Sequence, residues 1–176
     1  KGLLAAALSN MGERFGYYIM NAVLALFLCS KFGLAEGQAG LIYSIFYAGI
    51  YILSLVGGLI ADKTQNYKGT IMTGLAIMAS GYVILSIPVL ATPQNSSFLL
   101  TVTCLALFLI AFGNGLFKGN LQAIVGQMYD NFEAEEAKKG EEALAIAKDK
   151  RDSGFQIFYV FINVGGVIAP FVAPLL

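Results

Sequence analysis

Apolar residues run along this chain in long stretches, and polar segments interrupt them at intervals. Five stretches stand out, at about residues 2–30, 39–61, 69–90, 98–129 and 153–176. Each reaches the ~20 apolar residues that a bilayer-spanning helix requires. In lipid every backbone N–H and C=O must find an internal partner, and barrel strands would be near ten residues and alternating. The pattern therefore predicts an all-α integral membrane chain with five transmembrane helices.

Most of the polar breaks are short. Lys31–Gln38 carries two glycines, Asp62–Lys68 is a charged loop, and Thr92–Ser97 follows a stop near Pro88 and Pro93. Residues 130–152 are the one substantially soluble segment, read as a cytoplasmic connector. Its acid–base pairs at three- and four-residue spacing predict a short surface helix broken near Gly140.

Composition agrees with the pattern. Charged residues make up 12 % of the chain and hydrophobic ones 57 %, where a soluble domain carries ~25 % charge. The mean hydropathy is +0.72. A formal net charge of zero gives no basic surface for nucleic acid. There is no His, and Cys29 and Cys104 lie within apolar runs without metal-ligand spacing. Both read as small buried hydrophobes, with a bridge between them left open. No metal or cofactor is expected.

The cations set an orientation. Arg14 and Lys118 lie inside apolar stretches, and Lys31 lies in the first loop. Lys1, Lys63, Lys68, Lys138, Lys139, Lys148, Lys150 and Arg151 fall at the start or in the second and fourth loops. The positive-inside bias places those regions, with the N-terminal end, in the cytoplasm. No cleavable signal peptide is visible, and the chain opens Lys-Gly. The expectation is a part of a longer protein that lacks at least one partner helix.

The charges inside the spans carry the functional signal, since each costs roughly 2.5–3.5 kcal/mol at a helix centre on insertion scales. Glu13 and Arg14 are adjacent, and Asn10, Arg14, Tyr17 and Asn21 share a narrow arc with Glu13 at its edge. Such a pair points to a lumen, a substrate or a relay; an ion pair that only joins helices is the alternative. The second stretch places Tyr43, Tyr47 and Tyr51 at four-residue steps, with Ser54 near the same face. The fourth carries Asn114, Lys118 and Gln122 on one side, among Gly113, Gly115, Gly119 and Gly126. The fifth carries Gln156, Tyr159 and Asn163, ahead of Gly165, Gly166 and Pro170. The third has the weakest stripe and is expected at the periphery. Two intramembrane cations against one anion leave a positive surplus that suits a carboxylate, from a ligand or from elsewhere in the protein.

Four stretches resemble one family. Glu13-Arg14-Phe15 with Tyr17-Tyr18 resembles the first-helix motif of the proton-dependent oligopeptide transporters, a branch of the major facilitator superfamily. Gly57-Gly58-Leu59-Ile60-Ala61-Asp62-Lys63 is similar to that superfamily's loop between helices two and three. Phe158-Tyr159-Val160-Phe161-Ile162-Asn163-Val164-Gly165 is similar to the peptide transporters' fifth-helix signature, and Lys118 to their fourth-helix lysine. The matches fall in order over nearly the whole chain.

The resemblance implies an N-terminal bundle of six helices, five of them present, with a sixth helix and a C-terminal bundle elsewhere in the protein. It implies import of di- and tripeptides with protons by alternating access; a bacterial inner membrane is the expected location. Arg14, Tyr17, Tyr51, Lys118 and Asn163 would line the peptide site. Lys118 would meet the peptide carboxylate, and Tyr17, Tyr51 and Asn163 its backbone or termini. Glu13 would pair with Lys118 or Arg14 and serve proton coupling. Asn21, Tyr47, Asn114, Gln122, Gln156 and Tyr159 would complete the lining.

Two positions depart from the pattern. Asn10 stands where the family usually has an acid, and Asn21 where it commonly has an arginine. Asn does not titrate. A same-fold transporter of another small organic anion, or one without proton coupling, is therefore the second reading. A membrane enzyme or scaffold is the third, and it lacks a His, a metal cluster or a Gly-rich phosphate loop.

Overall fold

The computed structural model describes residues 2–175, which form five long helices. They are α1 (Gly2–Phe32), α2 (Glu36–Thr64), α3 (Tyr67–Leu85), α4 (Ser96–Glu136) and α5 (Glu141–Val172), with 3₁₀ turns at Ala137–Lys139 and Ala173–Leu175. All five are long and apolar enough to cross a membrane.

The element bounds depart from the sequence expectation in two places. The third helix ends at Leu85 rather than near residue 90. Pro88 is the cause: a proline ring clashes with the carbonyl four residues back and turns the residue before it out of helical geometry. The charged connector is helical for almost its whole length, as continuations of α4 and α5 rather than as a separate short helix. Its alanines and its acid–base pairs favour helix as much as the apolar spans do. The chain breaks only around Gly140, at φ 128°, which a side chain would disfavour.

The chain divides into two compact units. One takes the described residues of Lys1–Ala22 and Leu121–Leu176, the other Val23–Asn120. In the second unit, glycines on α4 let two neighbours approach to backbone contact. A Cβ on Gly57 of α2 would strike the Gly115 carbonyl, and one on Gly115 would lie 2.5 Å from the Leu53 carbonyl oxygen. On the α3 side, a Cβ on Gly74 would lie 2.7 Å from the Gly113 carbonyl oxygen. Small residues of this kind drive helix association in lipid, where burial of apolar surface offers little. Asn120 fastens the same contact, its Nδ2 donating to the carbonyls of Gly57 at 3.0 Å and Leu116 at 2.8 Å. Close packing to α4 thus gives α3 a structural place that its weak polar stripe did not indicate.

Between α2 and α3 the turn is set by Gln65 in the left-handed region and by Asn66, whose Oδ1 accepts from the Gly69 amide at 2.9 Å. The Tyr67 hydroxyl donates to Asp62 at 2.6 Å across it.

In the first unit, Gly165 of α5 lies against the Met11 carbonyl of α1, and Gly154 of α5 against the Tyr129 ring of α4. Beyond them, Arg151 donates to Asp130 at 2.7 Å and to Glu133 at 3.3 Å, tying the extensions of α4 and α5 together. The cysteines correct the sequence reading. Both are free thiols, Cys104 exposed and Cys29 half-buried. An apolar run does not imply burial inside protein when the medium outside is itself apolar.

Candidate functional site

In the first unit the charged pair is sunk in α1. Glu13 is 9 % exposed and Arg14 7 %, and Asn10 and Tyr17 are buried beside them. Neighbours in helix sequence do not normally face one another. Both side chains here are long enough to fold back, and they meet in a two-point pair. Arg14 Nε donates to Glu13 Oε2 at 2.5 Å and Nη2 to Oε1 at 2.7 Å. Such a fork is the strong, directional form of the ion pair. The guanidinium also lies over the Tyr17 ring, 4.6 Å from its centroid. Arg14, one of the two partners expected for Glu13, is thus bound to it.

Asn21, two turns along α1, is half-buried, and its Oδ1 is buried without a hydrogen-bond partner. On α5, Gln156, Tyr159 and Asn163 are all exposed, while Phe158 and Gly165 are buried. The helix therefore packs through its small and aromatic positions and leaves its amide and phenol groups outward. Gln122, at the α4 edge of this unit, is half-buried.

The second unit holds the tyrosine ladder. Tyr43 and Tyr47 stack with ring centroids 6.3 Å apart, and Tyr47 meets Tyr51 edge-on at 5.2 Å. The Tyr47 and Tyr51 hydroxyls share a hydrogen bond of 3.1 Å. At the end of the ladder, the Lys118 ammonium of α4 lies 4.8 Å from the Tyr51 ring centroid. Lys118 is half-buried, and Asn114, one turn earlier, is fully buried.

Each unit thus presents one cation, inside an apolar span, against a tyrosine face. Cation–aromatic attraction is worth about 2 kcal/mol or more once desolvated. Such a contact favours the charged form of a lysine or arginine inside an apolar span. The sequence named Arg14, Tyr17, Tyr51 and Lys118, but not the pairing of rings with cations. Spacing held that signal for Arg14 and Tyr17, three residues apart on one helix, and not for Lys118 and Tyr51. Among the described residues no group of His, Cys, Asp or Glu could hold a metal ion.

Bilayer-length helices that pack through glycines, with charged and phenolic groups in their middles, define the class as a polytopic helical membrane protein. Residues 68–176 match the POT family. The chain belongs to this family, the proton-dependent oligopeptide transporters of the major facilitator superfamily. A di-/tripeptide transporter of Lactococcus lactis subsp. cremoris is 35 % identical over 179 residues, 98 % of this chain and 31 % of that protein. Dipeptide and tripeptide permease A of Chromobacterium violaceum is 31 % identical over 163 residues, 92 % of this chain and 28 % of its own length. The solved structure of a bacterial homologue of the human drug peptide transporters matches with a TM-score of 0.74 at 29 % identity, over 96 % of this chain and 31 % of that one. The chain thus spans under a third of the length of these relatives. The family and these relatives are transporters rather than enzymes.

Proposed function

We propose that this chain is the N-terminal bundle of an importer of di- and tripeptides, working by proton symport and alternating access. It sits in a bacterial inner membrane with its N-terminal end and the 130–152 connector in the cytoplasm. The observation that carries the reading is the pair of intramembrane cations, Arg14 over Tyr17 and Lys118 over Tyr51. A peptide brings the matching chemistry: a carboxylate for a cation, and backbone amides for phenol and amide side chains. Lys118 takes the carboxylate, and Tyr17, Tyr51 and Asn163 hydrogen-bond the backbone or termini. Arg14 holds the site's charge, and Glu13 is the protonatable group. Tyr47, Asn114, Gln122, Gln156 and Tyr159 complete the lining. The sixth helix and the C-terminal bundle supply the rest.

The test is uptake of a labelled dipeptide by the full-length protein in proteoliposomes, with and without an inward proton gradient at fixed membrane potential. Accumulation driven by the gradient is the expected result. Absence of dipeptide uptake by folded protein would overturn the peptide reading.

Asn10 favours a second reading. It is buried next to the Glu13–Arg14 pair and cannot exchange a proton. Uptake that equilibrates without responding to the gradient would keep the peptide site and remove the coupling. Preference for a non-peptide organic anion would move the substrate instead.

A further inference from the structure

A cavity of about 470 Å³ lies in the first unit, where α1 begins, the apolar part of α4 ends and that of α5 starts. Its volume falls within the range of about 300–1,000 Å³ usual for small-molecule sites. Close packing frames it. A Cβ on Gly2 would lie 2.9 Å from the Met128 sulfur, and Gly154 lets the Tyr129 ring lie across α5. On α5 the lining residues Lys150, Ser153 and Ile157 share a face. That face lies about 120° round the helix from Gln156, Tyr159 and Asn163, so the cavity is separate from the fifth-helix stripe.

The lining has an apolar part and a cationic part. Leu3, Met128 and Ile157 supply hydrocarbon, and Met128 and Ile157 are left exposed. Lys150 is the only charged side chain among the described residues that line the cavity, and its ammonium lies 5.4 Å from the Phe132 ring centroid. Among the described residues no carboxylate forms an ion pair with it. Asp130 and Glu133 are taken up by Arg151, and Asp149 and Asp152 flank Lys150 in sequence without joining the lining. Tyr129 and Ser153 add hydroxyl groups that can donate. Three apolar spans give way to polar sequence at this height, the level at which a bilayer changes from acyl chains to headgroups. A small soluble anion would satisfy the cation and leave the apolar wall uncovered. A phosphodiester carrying acyl chains satisfies both.

We propose that this cavity binds an anionic phospholipid, with its phosphate at Lys150 and one acyl chain along Leu3, Met128 and Ile157. Basic pockets between membrane spans hold lipid headgroups in this way. The orientation proposed above makes the leaflet the cytoplasmic one, and the site itself does not depend on that orientation.

For the test, full-length protein in detergent is titrated with phosphatidylglycerol or with phosphatidylcholine of the same acyl chains, and bound lipid is counted by native mass spectrometry. The unsubstituted protein should bind phosphatidylglycerol the more tightly. Lys150→Gln should weaken that binding roughly fivefold, the order for one lysine at an anionic lipid surface, and Lys150→Arg should retain it. Lys148→Gln removes an equal charge two residues away, outside the lining, and should change little. An equal loss in Lys148→Gln would reduce the effect to general surface charge and overturn the site. Unchanged binding in Lys150→Gln would also overturn it, leaving the cavity to another part of the polypeptide. Displacement of phosphatidylglycerol by millimolar inorganic phosphate would replace the lipid with a soluble anion. Binding is read here without transport, so failure of this site leaves peptide import standing, and a protein that takes up no dipeptide can still show the site.

Discussion

The Lys118 ammonium on α4 stands 4.8 Å from the centroid of the Tyr51 ring on α2, inside the unit where Gly57, Gly115 and Asn120 bring those two helices into contact. The position of the cation is thus set by backbone packing one or two turns away. Tyr51 is in turn fixed by Tyr47, through a hydroxyl–hydroxyl bond and an edge-on ring contact.

If that cation receives the peptide carboxylate, Lys118→Met should lower kcat/KM for dipeptides by roughly 30-fold or more, the range for a charge-assisted hydrogen bond of about 2–3 kcal/mol. Tyr47→Phe should act more mildly, raising KM by a few-fold because it removes the Tyr47–Tyr51 hydroxyl bond without touching the cation. Initial-rate uptake across a dipeptide concentration series separates the two. Equal effects would mean that the ladder, rather than Lys118, binds the ligand.

The forked pair on α1 predicts an asymmetry in stability. Glu13→Gln leaves Arg14 buried without its carboxylate, and breaking a buried pair from one side costs about 3–5 kcal/mol. Glu13→Gln combined with Arg14→Met removes the stranded charge and should recover much of that loss. Thermal unfolding in detergent reads both. A double variant no more stable than Glu13→Gln alone would show that the pair contributes by packing rather than by charge matching.

Gly57 and Gly58 are neighbours with opposite expectations. A Cβ at Gly57 meets the Gly115 backbone, whereas one at Gly58 meets nothing within 4 Å. Gly57→Ala should reduce the yield of monodisperse protein sharply, since the obstacle is backbone and cannot rotate away. Gly58→Ala should be neutral or stabilising by up to about 1 kcal/mol, the helix-propensity gain over glycine. Size-exclusion chromatography of the two variants is sufficient.

At the far end of the α4–α5 hairpin, Arg151 holds Asp130 and Glu133 in a solvated setting. Exposed pairs contribute little and weaken with salt. Arg151→Ala should therefore leave thermal stability and dipeptide KM nearly unchanged while speeding amide hydrogen exchange across residues 130–152. A large loss of uptake would assign this clamp a part in transport.

Much of this architecture was legible because a bilayer is a demanding solvent. Hydrophobic length alone located five helices, and the energetic cost of an intramembrane charge drew attention to Glu13, Arg14 and Lys118. Pairings across helices were harder. Nothing in the spacing of Tyr51 and Lys118 announces their contact, because it depends on how closely α2 and α4 approach. Glu13 was expected at the edge of the polar arc with Lys118 or Arg14 as its partner, and the reach of the two side chains closes its fork with Arg14. The exposure of Cys104 was misread for a related reason: apolar character marks the lipid-facing surface and the interior alike. The early end of α3 was within reach of the sequence, since Pro88 acts on the residues before it.

That Glu13 and Arg14 are consecutive has a consequence for how the protein is made. Ion pairs between helices exist only after the helices have met, so each charge must first enter the membrane alone. Here both charges belong to α1, and the fork closes as soon as that helix forms. The α1 span can leave the ribosome and pass into lipid with its two central charges already matched, before any helix that follows it has been synthesised. Separating the two residues to different helices would keep the same final charge while requiring each to be inserted unshielded, at about 2.5–3.5 kcal/mol apiece.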